Sequence, residues 1–364
     1  MFSSINKYLE DPLLQFMYSE IRKAGAIKSI SLDLTSKCNL RCEGCYYFSD
    51  GMDTIVKEGS EADFDNLILK EKKRGTNFVT VVGGEPTLKI DRLIKLSNNF
   101  KISVATNGQI KIPTQNLEDI SIGVAVWGNQ ATDLKLRGNS RIDVFNTALK
   151  NFKNDPRAFF YYTVQPDKYD EIEEVTKLCI ENGNRVLFNF FSEDNRNKTL
   201  YNDSVNNFEK VNQEIVKLIE KYPEQILLSS YVSQVVTNGT LYDEKWGHDV
   251  CPNFSIDNEL NFERMKNGNP FSPHFKSYNA DFKSTRKCCT RLDDSCKNCY
   301  DVWQHFAWII INLKKHLASN EEFTNWLSTT YLFYLINRLV DQDAGFKLLA
   351  EIQRRSLINN SVTI

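Results

Sequence analysis

Cys38-Asn39-Leu40-Arg41-Cys42-Glu43-Gly44-Cys45 sets three thiols at C-x3-C-x2-C spacing, directly after the apolar run Ser29 to Leu34. Thiolates are the soft ligands of iron–sulfur clusters, and three in a loop that leaves a strand can converge on one [4Fe-4S] cluster. Three ligands leave one iron without a protein ligand, and an open iron is where chemistry can happen. A tetrahedral zinc site needs a fourth ligand close by, whereas His248, His274, His305 and His316 are all remote in sequence. The bland alternative is chance clustering of buried cysteines. Nine cysteines in 364 residues make so tight a spacing a poor match to chance.

The cysteine loop follows Ser29-Ile-Ser-Leu-Asp-Leu-Thr35, whose alternation predicts a strand. Ser60 with Asp63 predicts the capped start of a helix running to about Arg74, which Gly75 ends. The cycle then repeats, with strands predicted over 78–82, 102–105, 120–127, 158–164 and 185–191 and helices over 90–98, 142–152 and 170–182. Six strands alternating with helical patterns are the mark of βαβ units around a parallel sheet, so the fold class is α/β. Functional residues in such sheets gather at the carboxyl ends of the strands. The cysteine loop, Gly83-Gly84-Glu85-Pro86 and Thr106-Asn107-Gly108 all fall there.

Flanking segments frame this core. Apolar positions at Tyr8, Leu13, Leu14, Phe16, Met17 and Ile21 predict a helix over 5–23, and Phe208 to Tyr222 reads as an amphipathic helix stopped by Pro223. From about Thr237 to Tyr300 periodicity disappears, and Cys251, Cys288, Cys289, Cys296 and Cys299 occur there. Long aperiodic loops are functional or disordered, and cysteine staples favour function. Lys283, Arg286, Lys287 and Arg291 read as local charge around that site or as a solvated face. Helices are predicted over 302–317, 323–340 and 344–357, with Ser319 and Glu322 as a capping box. The expected division is an N-terminal helix over 1–28, a barrel over 29–236, a cysteine-rich extension over 237–300 and a helical tail over 301–364. Cys179 reads as core, Phe159 to Tyr162 as a buried strand facing core and cavity, and His305 and His316 as structural or exposed.

Composition narrows the class. Hydrophobic residues make up 41% of the chain, enough for a sizeable core, and the net charge of −2 with scattered Lys and Arg gives no nucleic-acid footprint. The first residues lack a signal-peptide core, and no run approaches the twenty or so apolar residues of a membrane span. Clustered C-x2-C and C-x3-C spacings favour metal in a reducing cytoplasm over disulfides.

Taken in order, Cys38/Cys42/Cys45, Gly83-Gly84-Glu85-Pro86 and Thr106-Asn107-Gly108 resemble the motifs of the radical S-adenosylmethionine (SAM) enzymes. The resemblance covers about the first 190 residues; beyond them the likeness is to SPASM or twitch extensions, whose full cysteine spacing is not reproduced. It implies a partial (β/α)6 TIM-type barrel with a cysteine-rich C-terminal extension and terminal helices. It also implies a [4Fe-4S] cluster on Cys38, Cys42 and Cys45 whose open iron chelates SAM. One electron then cleaves SAM to a 5′-deoxyadenosyl radical that abstracts hydrogen from a small-molecule or peptide substrate, with a flavodoxin- or ferredoxin-type protein as electron donor.

Gly83, Gly84, Glu85 and Pro86 are expected at the methionyl end of SAM, where glycines let backbone approach a ligand closely. Thr106 and Asn107 are expected at its polar groups; a strand-to-helix turn and an Asn-Gly turn are the structural alternatives. The family's aromatic residue before the third cysteine is replaced by Gly44, leaving Tyr46 or Tyr47 beside the adenine, and Ala125 stands where a serine often faces the ribose. Cys251, Cys296, Cys299 and either Cys288 or Cys289 are expected to hold a second [4Fe-4S] cluster. Cys289, if spared, would pack nearby or donate hydrogen to a substrate radical, as in radical epimerases. The rival class is a non-catalytic iron–sulfur electron carrier or a zinc-stapled binding protein.

Overall fold

The computed structural model describes residues 5–49, 51–54, 56–192, 207–254, 259–266, 276–288 and 299–361. Six strands, β1 (Ser29–Asp33), β2 (Phe78–Val82), β3 (Lys101–Thr106), β4 (Ser121–Val126), β5 (Ala158–Val164) and β6 (Arg185–Phe190), pair in parallel and in chain order. Helices return the chain between strands and cover the outer face, except from β3 to β4, where residues 107–120 form a loop. Each strand matches its predicted span within about two residues, since burial on both faces leaves a strong local signal.

The helix Glu61–Arg74 shows how local chemistry sets an element. Ser60 accepts from the Asp63 N–H while Asp63 accepts from the Ser60 N–H, and Phe64, Leu67 and Ile68 are buried against the sheet. Gly75 ends the helix at φ 81°, a left-handed conformation that favours glycine.

The region expected to lack periodicity carries short elements. Thr240–Leu241 (β7) and Glu244–Lys245 (β8) form a hairpin, Glu259–Lys266 is a helix, and Lys276–Tyr278 (β9) and Thr285–Arg286 (β10) join the barrel sheet. β9 lies parallel to β1, with Ile30 opposite Lys276 and Leu32 opposite Tyr278, and β10 returns antiparallel beside it. Strands of two or three residues are too short to show a period, so the sequence reading missed them. Side chains then anchor the extension. Arg286 donates to the buried Asp33 carboxylate at 2.8 Å and the Tyr278 hydroxyl donates to buried Glu71 at 2.8 Å. Arg286 is thus a buried pairing residue, not part of a solvated basic face.

Two further departures bear on the site. Gln130–Leu136 is a helix absent from the sequence reading, capped by the Asn129 carboxamide oxygen on the N–H groups of Ala131 and Thr132. The tail helix from Val302 ends at Ile311, earlier than expected, followed by a 3-10 turn at Lys315–Leu317. The longer helix Asn320–Ile336 packs beside it, with Trp326 donating to the Ile310 carbonyl at 2.8 Å. Ser121 at the start of β4 donates to the Ile336 carbonyl, and Asn189 in β6 accepts the Val302 N–H, so the tail grips both ends of the sheet. Cys179, His305 and His316 are all buried, the histidines structural rather than exposed. Among the described residues no helix is long and apolar enough to cross a membrane.

Candidate active site

Cys38, Cys42 and Cys45 leave the carboxyl end of β1 and all line one cavity of about 390 Å³. Their thiols sit close enough to feel one another's charge. Burial is the main effect and raises all three, Cys42 to about 11. Thiols so held stay protonated until a cation replaces the proton, which is the behaviour of cluster ligands. Hydrogen-bond donors stand ready at two sulfurs: Asn107 Nδ2 lies 3.8 Å from Cys38 Sγ, and the Arg137 guanidinium reaches Cys42. Among the described residues no three His, Cys, Asp or Glu side chains are gathered as the ligands of a single metal ion. Three thiols are a donor set that fits a cluster, which spreads its thiolates over separate irons.

The second and third motifs are bound into the cysteine loop. Gly84 N–H donates to the Thr35 carbonyl at 2.9 Å and Glu85 N–H to the Lys37 carbonyl at 2.8 Å. A Cβ on Gly84 would overlap the Lys37 carbonyl, and one on Gly83, at φ 115°, would stand 2.7 Å from the Thr35 carbonyl oxygen. The close approach that demands glycine here is to the cysteine loop itself. Glu85 is fully buried, and burial pushes its carboxyl up against the pull of four donors. Oε1 accepts from Thr87 N–H, Thr87 Oγ1 and Thr106 Oγ1, and Oε2 accepts from Asn107 N–H at 2.7 Å. One carboxylate thus ties the second motif to the third, with acceptor capacity left on Oε2. Pro86 opens the short 3-10 turn Pro86–Lys89. Tyr47, in the short helix Tyr46–Ser49, is buried, lines the cavity and faces Asp33 with its hydroxyl.

Sequence reasoning missed Asp133 and Arg137. They lie one turn apart at the end of the helix Gln130–Leu136, are essentially unexposed, and pair at 3.0 Å. Arg137 also donates to the Ala125 carbonyl at 2.7 Å and the Asn107 carbonyl at 3.1 Å, while Asp133 accepts the Trp127 N–H at 2.9 Å. This pair therefore joins the ends of β3 and β4 to the cysteine loop, which the Glu43 N–H also ties to the Leu136 carbonyl at 2.7 Å. The signal was the i, i+4 Asp–Arg spacing, indistinguishable in sequence from a surface pair.

Three of the late cysteines lie among the described residues. Cys251, Cys288 and Cys299 are all buried, and the charges of Cys288 and Cys251 both act on Cys299, whose thiol burial pushes up. Cys299 lines the same cavity as the cysteine loop, just before Asp301, which caps the helix Val302–Ile311. Cys289 and Cys296 lie outside the described residues.

Residues 30–126 match the family model of a 4Fe-4S single cluster domain. The chain is 30% identical over 99 residues to a probable GTP 3′,8-cyclase of Methanothermobacter thermautotrophicus, covering 26% of this chain and 32% of that one. It is 36% identical over 89 residues to an S-adenosylmethionine-dependent nucleotide dehydratase of Flammeovirga pacifica, covering 22% and 31%. It thus spans about a third of the length of these relatives. Among solved structures it is similar to native anSMEcpe with bound AdoMet and Cp18Cys peptide, at 16% identity and a TM-score of 0.50, over 92% of this chain and 99% of that one. At that identity the likeness is one of fold. In three motifs in order, a matched cluster domain and a shared fold, this chain is similar to the radical SAM enzymes.

Proposed function

We propose that Cys38, Cys42 and Cys45 hold a [4Fe-4S] cluster, that SAM binds beside Gly83-Gly84-Glu85-Pro86 and Thr106-Asn107, and that hydrogen is abstracted from a peptide or small molecule in the cavity. The observation that carries this reading is the convergence of all three motifs, with Tyr47, on one cavity that the extension and tail also line. When bound, the reduced cluster supplies the electron that cleaves SAM to a 5′-deoxyadenosyl radical. The chain's own residues orient and shield. The spare acceptor position on Glu85 Oε2 suits an ammonium group, and Trp127, Tyr161, Phe191 and Trp303 wall the remainder and exclude water.

The same reading assigns a second [4Fe-4S] cluster to Cys251, Cys288, Cys296 and Cys299. The nearness of Cys251 and Cys288 to Cys299 and the burial of all three support it, with Cys288 as the ligand from the adjacent pair. Cys289 is then free to donate hydrogen, the arrangement an epimerase would use. A flavodoxin- or ferredoxin-type protein serves as electron donor.

Anaerobic reconstitution tests the reading. The reduced chain should carry about eight irons and release 5′-deoxyadenosine from SAM. Iron without SAM cleavage would make the chain an electron carrier, and zinc in place of iron would make the extension a structural staple.

A further inference from the structure

Ser31 Oγ, Asn253 Nδ2 and Gln304 Oε1 are buried polar atoms on the cavity wall with no hydrogen-bond partner among the described residues. Their residues are 1%, 8% and 7% exposed. A buried polar group left unpaired weakens a fold, so such atoms facing one cavity mark groups that a ligand satisfies. Asn253 comes from the extension, two residues after Cys251, and Gln304 from the first turn of the helix Val302–Ile311. Trp127, Phe159, Tyr161, Phe191, Trp303 and Phe333 line the same cavity with aromatic surface.

Charge separates the candidate ligands. Among the described residues the charged side chains lining the cavity are Glu85, Arg137 and Asp301. Glu85 accepts four hydrogen bonds, Arg137 is paired with Asp133, and Asp301 caps its helix through the Gln304 N–H. A nucleoside triphosphate requires cations or dense N–H donors around its phosphates, and this wall offers neutral groups instead.

We propose that Asn253 and Gln304 form a subsite that reads an uncharged peptide-type amide. Asn253 donates to its carbonyl, Gln304 accepts its N–H, and the aromatic wall takes the neighbouring side chain. The inference rests on the cavity being the substrate site of a SAM-cleaving enzyme.

The test uses the reconstituted full chain with SAM under anaerobic conditions, and equilibrium dialysis of three probes: N-acetylphenylalanine N-methylamide, N-acetylphenylalanine as its carboxylate, and GTP. The amide should bind saturably, at least about fivefold tighter than the carboxylate, and GTP should not displace it. Gln304→Met and Asn253→Leu should each weaken the amide about tenfold, the effect of losing one buried hydrogen bond. Gln304→Met should melt no lower than the parent chain, because it removes an orphaned acceptor. A structural role for Gln304 would instead lower its melting point. Unchanged amide affinity in both variants, tighter binding of GTP or the carboxylate, or no saturable amide binding overturns the subsite. Formation of 5′-deoxyadenosine, followed in parallel, separates the two readings: its presence beside failed amide binding sinks the subsite alone, and its absence sinks both.

Discussion

The cysteine loop and the extension both bring thiols to one cavity, but they are built in opposite ways. The loop's three cysteines lie within eight residues, and backbone bonds from the next motif hold them: Gly84 to Thr35 and Glu85 to Lys37. Of the extension's cysteines, Cys251 follows the β7–β8 hairpin, Cys288 follows the two-residue strand β10 and Cys299 precedes the helix Val302–Ile311, and long-range side chains such as Arg286 and Tyr278 fix the extension to the barrel. A site made of near neighbours is written in spacing. A site assembled by packing is written only in contacts.

The largest expected effect breaks one half of this comparison. A Cys38→Ala/Cys42→Ala/Cys45→Ala chain should lose all SAM cleavage yet retain about four irons on reconstitution, with its circular dichroism unchanged. Retained 5′-deoxyadenosine would refute the first site, and loss of all iron would refute the second.

Two glycines allow each region to be displaced separately. Gly84→Val drives a side chain into the Lys37 carbonyl, so the first cluster's electron paramagnetic resonance signal should fall together with SAM binding. Gly59 touches the extension instead: its N–H donates to the Ala280 carbonyl, and a Cβ there would stand 2.5 Å from the Asp281 carbonyl oxygen. Gly59→Val should therefore loosen the second site while the first keeps its signal. Loss of SAM binding alone in Gly84→Val would return that glycine to a direct role at the cofactor.

Smaller effects concern stability. Arg286→Met leaves Asp33 buried without its partner and should cost on the order of 3 kcal/mol in chemical denaturation. Adding Asp33→Asn should recover part of that loss, because the two residues couple directly. Acid should act on the tail. Burial holds His305 and His316 down to about 4. His305 stacks on Trp246 near Trp308, and His316 sits among Tyr231, Tyr242 and Lys315, with Glu322 bonded to Tyr242. Their folded values lie below the unfolded value near 6.5, so the stability they contribute is complete above that pH and is lost as pH falls toward 4. Between pH 7 and 5 the loss should be about 2 kcal/mol per imidazole. A His316→Gln chain should show a correspondingly smaller drop in urea midpoint, and an unchanged drop would refute the assignment.

The sequence by itself determined the six-strand α/β layout, the capped helix from Glu61, and the order of three motifs at the carboxyl ends of β1, β2 and β3. Those features follow from burial periodicity and from turns whose constraints act within a few residues. Other features appear only in three dimensions. The short strands β9 and β10 carry no period, so their place beside β1 was invisible. Asp133 and Arg137 looked like any helical pair until burial set them between Cys42, Asn107 and Ala125. Gly84 was legible as a close approach, but its neighbour is the Lys37 backbone. Gln304 and Asn253 carried no motif at all. Tertiary structure decided them because an unpaired polar atom is defined by what surrounds it, and its surroundings come from segments far apart in the chain.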